Sequence, residues 1–171
     1  IIYDTLGGMT AVVYSDVIQM VILLSGIGLC IFYAVDIVGG LGNVFHAIPP
    51  GRLRTIDPTT GLGDGGAVPF WAFLIGGLFL YTSYYGTDQS QVQRELSAPT
   101  TDETKKSLVF NAIARFPLTV LYVLMGITVG AAFDLSPQLR ASVPYDKLDY
   151  LVPQFILLNL PAGVRALIFA A

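Results

Sequence analysis

Three ionisable side chains stand where charge is expensive. Asp16, Asp88 and Arg115 fall inside or at the edge of stretches in which almost every other residue is uncharged, and a charge held away from bulk water must be matched by a partner or a bound ion. A carboxylate in such surroundings offers oxygen to a hard cation and supplies its countercharge. A guanidinium, always charged, presents a planar fork that suits a carboxylate at least as well as a polyol. Arg115 shares a helical stripe with Asn111, Thr119 and Tyr122, spaced i, i+4, i+8 and i+11, so one face of that helix is polar. Tyr81, Tyr84, Tyr85 and Asp88 follow i, i+3, i+4 and i+7 in the preceding apolar stretch, with Gln89 next in line.

Each of these groups also has a plain structural reading. Asp88 and Arg115 either pair to lock two helices together or line a solute path, and the residues alone leave both open. The tyrosines are either packing and interface residues or the wall of a site; Asn111 is also suited to bonding between helices, and Pro117 removes a helical hydrogen bond. No nucleophile sits beside a base, so no covalent catalysis is expected. The single Cys30 lies in an apolar run and His46 is also alone, so no metal site assembles from Cys and His spacing. An enzyme working inside a membrane would need an acid pair, for which only Asp16 and Asp88 offer themselves.

The elements that must position these residues are set by composition. Of 171 residues, 54% are hydrophobic and 12% charged, against roughly 25% charged in an ordinary soluble domain. Residues 11–35 and 108–133 carry one charge each, and 68–87 carry none. Each stretch reaches the roughly 20 residues that span about 30 Å of hydrocarbon. At least three transmembrane helices are predicted: 11–38, 68–94 broken near 86, and 108–133. Residues 1–8 read as the end of an earlier helix stopped by Gly7 and Gly8, and 161–171 as the start of another, as in a piece of a larger protein. The connections are 39–67 and 134–160, rich in turn residues, and a short charged loop over 95–107. A net charge of −3 and a pI near 4.8, with no basic patch, argue against a nucleic-acid surface.

Sidedness is set weakly by charge. The loop with Lys105 and Lys106, after Arg94, is densest in cations, which favours the cytoplasm, yet Arg52, Arg54, Arg140, Lys147 and Arg165 would then face outside, so charge alone leaves sidedness open. If that loop is cytoplasmic, helical rise puts Asp16, Asp88 and Arg115 each about 7 to 12 Å to the cytoplasmic side of its helix midpoint. The stretch "YYGTDQ" ends an apolar helix with a glycine and a carboxylate, which is what a discontinuous membrane helix needs: free backbone is tolerated only against protein or a watery cavity.

Three blocks carry a family resemblance. "YDTLGGMTAVVYSDVIQ" (residues 3–19), "YYGTDQSQVQRELSA" (84–98) and "GVRALIFAA" (163–171) resemble, in order, segments of the sodium:solute symporters. The resemblance implies an all-α integral membrane fold, a LeuT-like core of inverted repeats, of which these residues hold roughly the end of core helix 4 through the start of core helix 8. It implies extracellular placement of 39–67 and 134–160. It also implies that Asp16 supports a sodium site completed by other parts of the protein, that Tyr84 is a cytoplasmic-side gate with Tyr85 adjoining it, and that Arg115 occupies a solute-contacting position.

Where sugar carriers of the family place an asparagine, this chain has Tyr81, as in the iodide branch; "RTIDPTTG" and "FWAFLIGG" also resemble the iodide, monocarboxylate and vitamin carriers, whereas "TDQ" is shared with sugar carriers. The implied function is sodium-coupled symport of a small organic solute, a carboxylate-type anion or a sugar, by alternating access. The implied setting is a multi-pass protein of a plasma or bacterial inner membrane, with sodium, solute and lipid as partners, Na⁺ as coupling ion and no cofactor or nucleic acid. The alternative is a solute sensor or histidine-kinase input domain built on the same core.

Overall fold

The computed structural model describes residues 2–48, 58, 61–63 and 69–170; the middle of the 39–67 connection, with most of "RTIDPTTG", lies outside the described residues. Among them the regular structure is helical: α1 (Ile2–Val38), α2 (Leu41–Ala47), α3 (Phe70–Thr87), α4 (Gln89–Leu96), α5 (Thr101–Leu135), α6 (Pro137–Ser142), a 3-10 turn (Leu148–Tyr150), α7 (Leu151–Asn159) and α8 (Ala162–Ala170). The chain divides into two units, Ile1–Pro49 with Phe110–Ala171, and Pro50–Val109.

Two described helical segments are long and apolar enough to cross a membrane, Gly7–Val38 with 32 residues and Thr101–Leu135 with 35. At 1.5 Å per residue both exceed the roughly 30 Å of a hydrocarbon core. The third apolar stretch forms α3, 18 residues long, or about 27 Å. Its last turns, Tyr81 to Thr87, are hydroxyl-rich rather than aliphatic, which keeps it below that standard of length and composition.

In the first unit, the helix end expected at Gly7 and Gly8 is a kink inside α1, where Gly8 takes φ 58° and ψ −152°, a conformation that a side chain rarely permits. The other end of α1 closes by a two-glycine stop. Gly40 N–H donates to the Val35 carbonyl at 2.9 Å and Gly39 N–H to that of Asp36 at 3.1 Å, with Gly39 at φ 81°: the Schellman pattern, in which a left-handed residue satisfies the last carbonyls. The Asn43 amide adds bonds to the carbonyls of Val38 and Gly39 at 3.3 and 3.1 Å.

The core of this unit gathers at the C-terminal ends of α1 and α5. Cys30, Ala34 and Val38 recur every fourth residue on α1 and are buried with Val44, Val129, Ala132, Phe133, Leu139, Val143, Phe155, Ile156 and Leu160. Cys30 is thus a packing residue of this core, as its apolar neighbours suggest. The expected loop over 134–160 is largely built from short helices whose ends are satisfied locally. Ser136 caps α6 by accepting from Leu139 N–H at 3.4 Å, Pro137 opens that helix, and Arg140 donates to the Asp134 carbonyl. Arg165 in the first turn of α8 donates through Nη1 to the Leu157 carbonyl near the end of α7 at 2.7 Å.

α1 and α8 meet where α1 has no side chain. A Cβ on the buried Gly26 would lie 2.9 Å from Cγ1 and 3.0 Å from Cδ1 of Ile168, inside the distance that carbon atoms accept. Alanine there gains about 1 kcal/mol of helix propensity against crowding of similar size, so it should be close to neutral. Valine adds two more methyls. Gly26→Val is expected to destabilise the full-length protein by about 1–3 kcal/mol, and Ile168→Ala in the same chain to recover most of that; thermal unfolding of the purified variants checks it.

In the second unit, α3 passes through Gly86 and breaks at Asp88, after which α4 begins at once. The connection expected over 95–107 is shorter than its charge suggests, because helix resumes at Thr101. Ser97 Oγ donates to the Arg94 carbonyl at 2.6 Å and Thr104 Oγ1 to that of Glu95 at 3.2 Å, which closes α4. Thr100 Oγ1 accepts from Glu103 N–H at 3.3 Å, and Asp102 and Glu103 lie in the first turn of α5, where carboxylates suit the positive end of the helix dipole. Lys105 and Lys106 therefore extend α5 rather than occupy a loop.

Candidate functional site

The break between α3 and α4 is one residue long, and that residue supplies its own repair. Asp88 takes extended backbone angles, φ −69° and ψ 116°, ending one helix and capping the next. Its Oδ1 accepts from Ser90 N–H at 3.0 Å, Gln91 N–H at 3.2 Å and Ser90 Oγ at 2.6 Å. A helix N-terminus leaves its first N–H groups without intrahelical acceptors, and an aspartate at the capping position answers two of them here. The sequence signal was present: an Asp directly ahead of the run "QSQVQREL". On the α3 side, Thr87 Oγ1 donates to the Ser83 carbonyl at 2.8 Å and Thr82 Oγ1 to that of Leu78 at 2.7 Å, so these hydroxyls are satisfied within their own helix.

Against this break the three tyrosines form one aromatic cluster. Tyr81 and Tyr85 stack with centroids 6.4 Å apart and planes 23° off parallel, while Tyr84 meets Tyr85 edge to face at 5.2 Å and 86°. Both arrangements suit the ring quadrupole. Tyr84 Oη reaches across the break and donates to Gln91 Oε1 at 3.4 Å. Gln91 had no place among the candidate residues; its only sequence cue is the seven-residue spacing from Tyr84, which puts the two on one side of a helical path. Gln89, the first residue of α4, is exposed.

The other candidates belong to the first unit. Asp16 is half-buried on α1, ten residues before Gly26. Arg115 and Asn111 are half-buried on α5, while Thr119 and Tyr122 of the same stripe are exposed. Thr119 Oγ1 donates to the Arg115 carbonyl at 2.8 Å, so that hydroxyl is used inside the helix, two residues past Pro117. The structure thus gathers Tyr81, Tyr84, Tyr85 and Asp88 into one constellation in the second unit and sets Asp16 and Arg115 on long helices of the first. Among the described residues no three His, Cys, Asp or Glu side chains converge on a common point.

The groups on offer suit recognition: in the second unit aromatic faces, hydroxyls and the Asp88 carboxylate at a helix break, and in the first unit the Asp16 carboxylate and the Arg115 guanidinium. The model of the sodium:solute symporter family matches residues 1–171. The chain is 33% identical over 156 residues to the human sodium-coupled monocarboxylate transporter 1, covering 88% of this chain and 25% of that protein. It is 33% identical over 154 residues to the human sodium/iodide cotransporter, covering 88% and 24%. It is 33% identical over 192 aligned positions to the sodium/glucose cotransporter of Vibrio parahaemolyticus, covering 100% and 34%. The chain thus spans about a quarter to a third of the length of these relatives. No solved structure matches it.

Proposed function

The chain belongs to the sodium:solute symporter family, and from that membership we propose that the full-length protein is a sodium-coupled symporter that imports a small organic solute by alternating access. The observation that carries this reading is the family match over all 171 residues, with relatives named for sodium coupling on three different solutes. The protein resides in the cell membrane with several spans. Its core is LeuT-like, and α1, α3 with α4, and α5 are core helices 5, 6 and 7. No cofactor takes part; sodium is the coupling ion.

Asp16 contributes an oxygen and a negative charge to the sodium site. Arg115 contacts the solute; Tyr81, Tyr84 and Tyr85 serve as an aromatic wall or gate, and Asp88 and Gln89, at the α3–α4 break, serve in solute binding or gating. Identity of 33% to monocarboxylate, iodide and glucose carriers alike does not choose among solutes. The chemistry of Arg115 favours a carboxylate, because a guanidinium makes paired, charge-assisted bonds to one. Sodium favours the state in which the solute site is formed, and it does so only by its differential affinity for the two states.

The test is uptake by the full-length protein in proteoliposomes under an inward sodium gradient, with radiolabelled propionate and glucose as the paired solutes. Sodium-dependent accumulation of propionate is expected. Accumulation of glucose instead would assign the sugar branch and leave Tyr81 as the residue to explain. Binding of a solute with no uptake of either would favour a sensor on the same core.

A further inference from the structure

We infer that Gln91 is a positioning residue that holds the Tyr84 hydroxyl across the α3–α4 break, tying the aromatic wall to the cap of α4. The inference rests on the proposed role of Tyr84 at the solute path.

Three observations meet at Gln91. Its side-chain Oε1 accepts from Tyr84 Oη at 3.4 Å. Its backbone N–H donates to Asp88 Oδ1 at 3.2 Å, so the residue that receives the phenol is itself held by the cap. Tyr84 in turn packs edge-on against Tyr85, which stacks on Tyr81. A connected path therefore runs from the α4 cap through Gln91 to all three rings.

The bond spans the one place where the helical ladder is interrupted. Elsewhere in α3 and α4 the relative position of successive turns is fixed by backbone hydrogen bonds; at Asp88 it is fixed by side chains. Cap bonds within residues 88–91 hold only the start of α4. The Tyr84–Gln91 bond is a side-chain link that joins a residue before the break to one after it. A ring held this way keeps one orientation while α3 and α4 keep their angle, and a change in that angle releases it. A movable aromatic at a solute path gains its stop from such a link without a covalent constraint.

The chemistry separates the substitutions. Gln91→Leu keeps most of the volume and removes the acceptor. Gln91→Glu keeps an acceptor oxygen at the same position. Tyr84→Phe removes the donor and leaves the ring cluster intact. A hydrogen bond of this kind is worth roughly a three- to tenfold change in an equilibrium.

The experiment uses the full-length protein in proteoliposomes with radiolabelled propionate, or glucose if the paired assay selects it. Gln91→Leu is expected to raise the solute KM three- to tenfold while half-saturating sodium and the melting temperature stay as in the parent. Tyr84→Phe should match it, the double variant should be no worse than either alone, and Gln91→Glu should return KM to within about twofold. Additive losses in the double variant, or an unchanged KM in Gln91→Leu when Tyr84→Ala does impair uptake, would overturn the role of Gln91 alone. If Tyr84→Ala is also without effect, the reading of the solute path fails with it. A readout independent of solute uses spin labels at Thr82 and Gln93, exposed positions on either side of the break, in an otherwise cysteine-free protein. Gln91→Leu should broaden the distance distribution; an unchanged width would overturn the inference whatever the solute.

Discussion

Asp16→Ala in the full-length protein is expected to raise the sodium concentration for half-maximal uptake by roughly tenfold or more, with less than about a twofold change in solute affinity at saturating sodium. Two unit charges about 4 Å apart attract by about 4 kcal/mol at the effective dielectric of a partly buried site and by about 1 kcal/mol in water. Each 1.4 kcal/mol is a factor of about ten, so even a strongly screened contact gives a measurable shift. The half-buried setting of Asp16 on α1 lies between these limits. The solute measurement must be made at saturating sodium, because thermodynamic linkage passes any loss of sodium affinity to the solute when sodium is limiting. Equal loss in both quantities under saturation would remove Asp16 from the ion's site and leave it a structural residue of α1.

For Arg115→Gln the expected result is loss of carboxylate affinity, with propionate KM raised roughly 10- to 100-fold. A hydrogen bond to a charged group contributes about 1.5–3 kcal/mol, and the amide of Gln supplies donors without charge or fork geometry. Arg115→Lys should fall between, since it keeps the charge but presents a single point donor. Sodium activation should move little in either variant once propionate is saturating. If both variants carry propionate as the parent does, Arg115 does not meet the solute's charge, and its half-buried place on α5 would reflect packing beside Asn111. Taken together the two variants test whether ion and solute sites are separate: Asp16→Ala is expected to move one half-saturation constant and Arg115→Gln the other.

The apolar character of this chain, its dominant helicity and its family were all legible in the sequence. Those properties depend on sums over many residues: long uncharged stretches of Leu, Ile, Val and Phe, and blocks such as "YYGTDQSQVQRELSA" whose order is itself informative. The individual polar residues were legible too, because Asp16, Asp88 and Arg115 are conspicuous against an apolar background. The end of α1 at Val38, closed by the glycine stop at Gly39 and Gly40, falls where the apolar stretch 11–38 was read to end.

What the tertiary structure alone decided is where those local rules compete and which distant atoms meet. The break expected near residue 86 falls at Asp88 and the helix passes through Gly86, because a carboxylate able to accept from Ser90 and Gln91 stabilises a new N-terminus there. The charged stretch 95–107 looked like a loop, but capping by Thr100 and acidic residues in the first turn start α5 at Thr101. The bond from Tyr84 to Gln91 depends on the backbone path through the break, and the contact of Gly26 with Ile168 joins residues 142 positions apart. Periodicity reports which face of a helix is polar; it contains no information on what a second helix brings to that face. That is decided by the packing of whole elements, in which a single missing side chain, as at Gly26, sets how closely two helices approach.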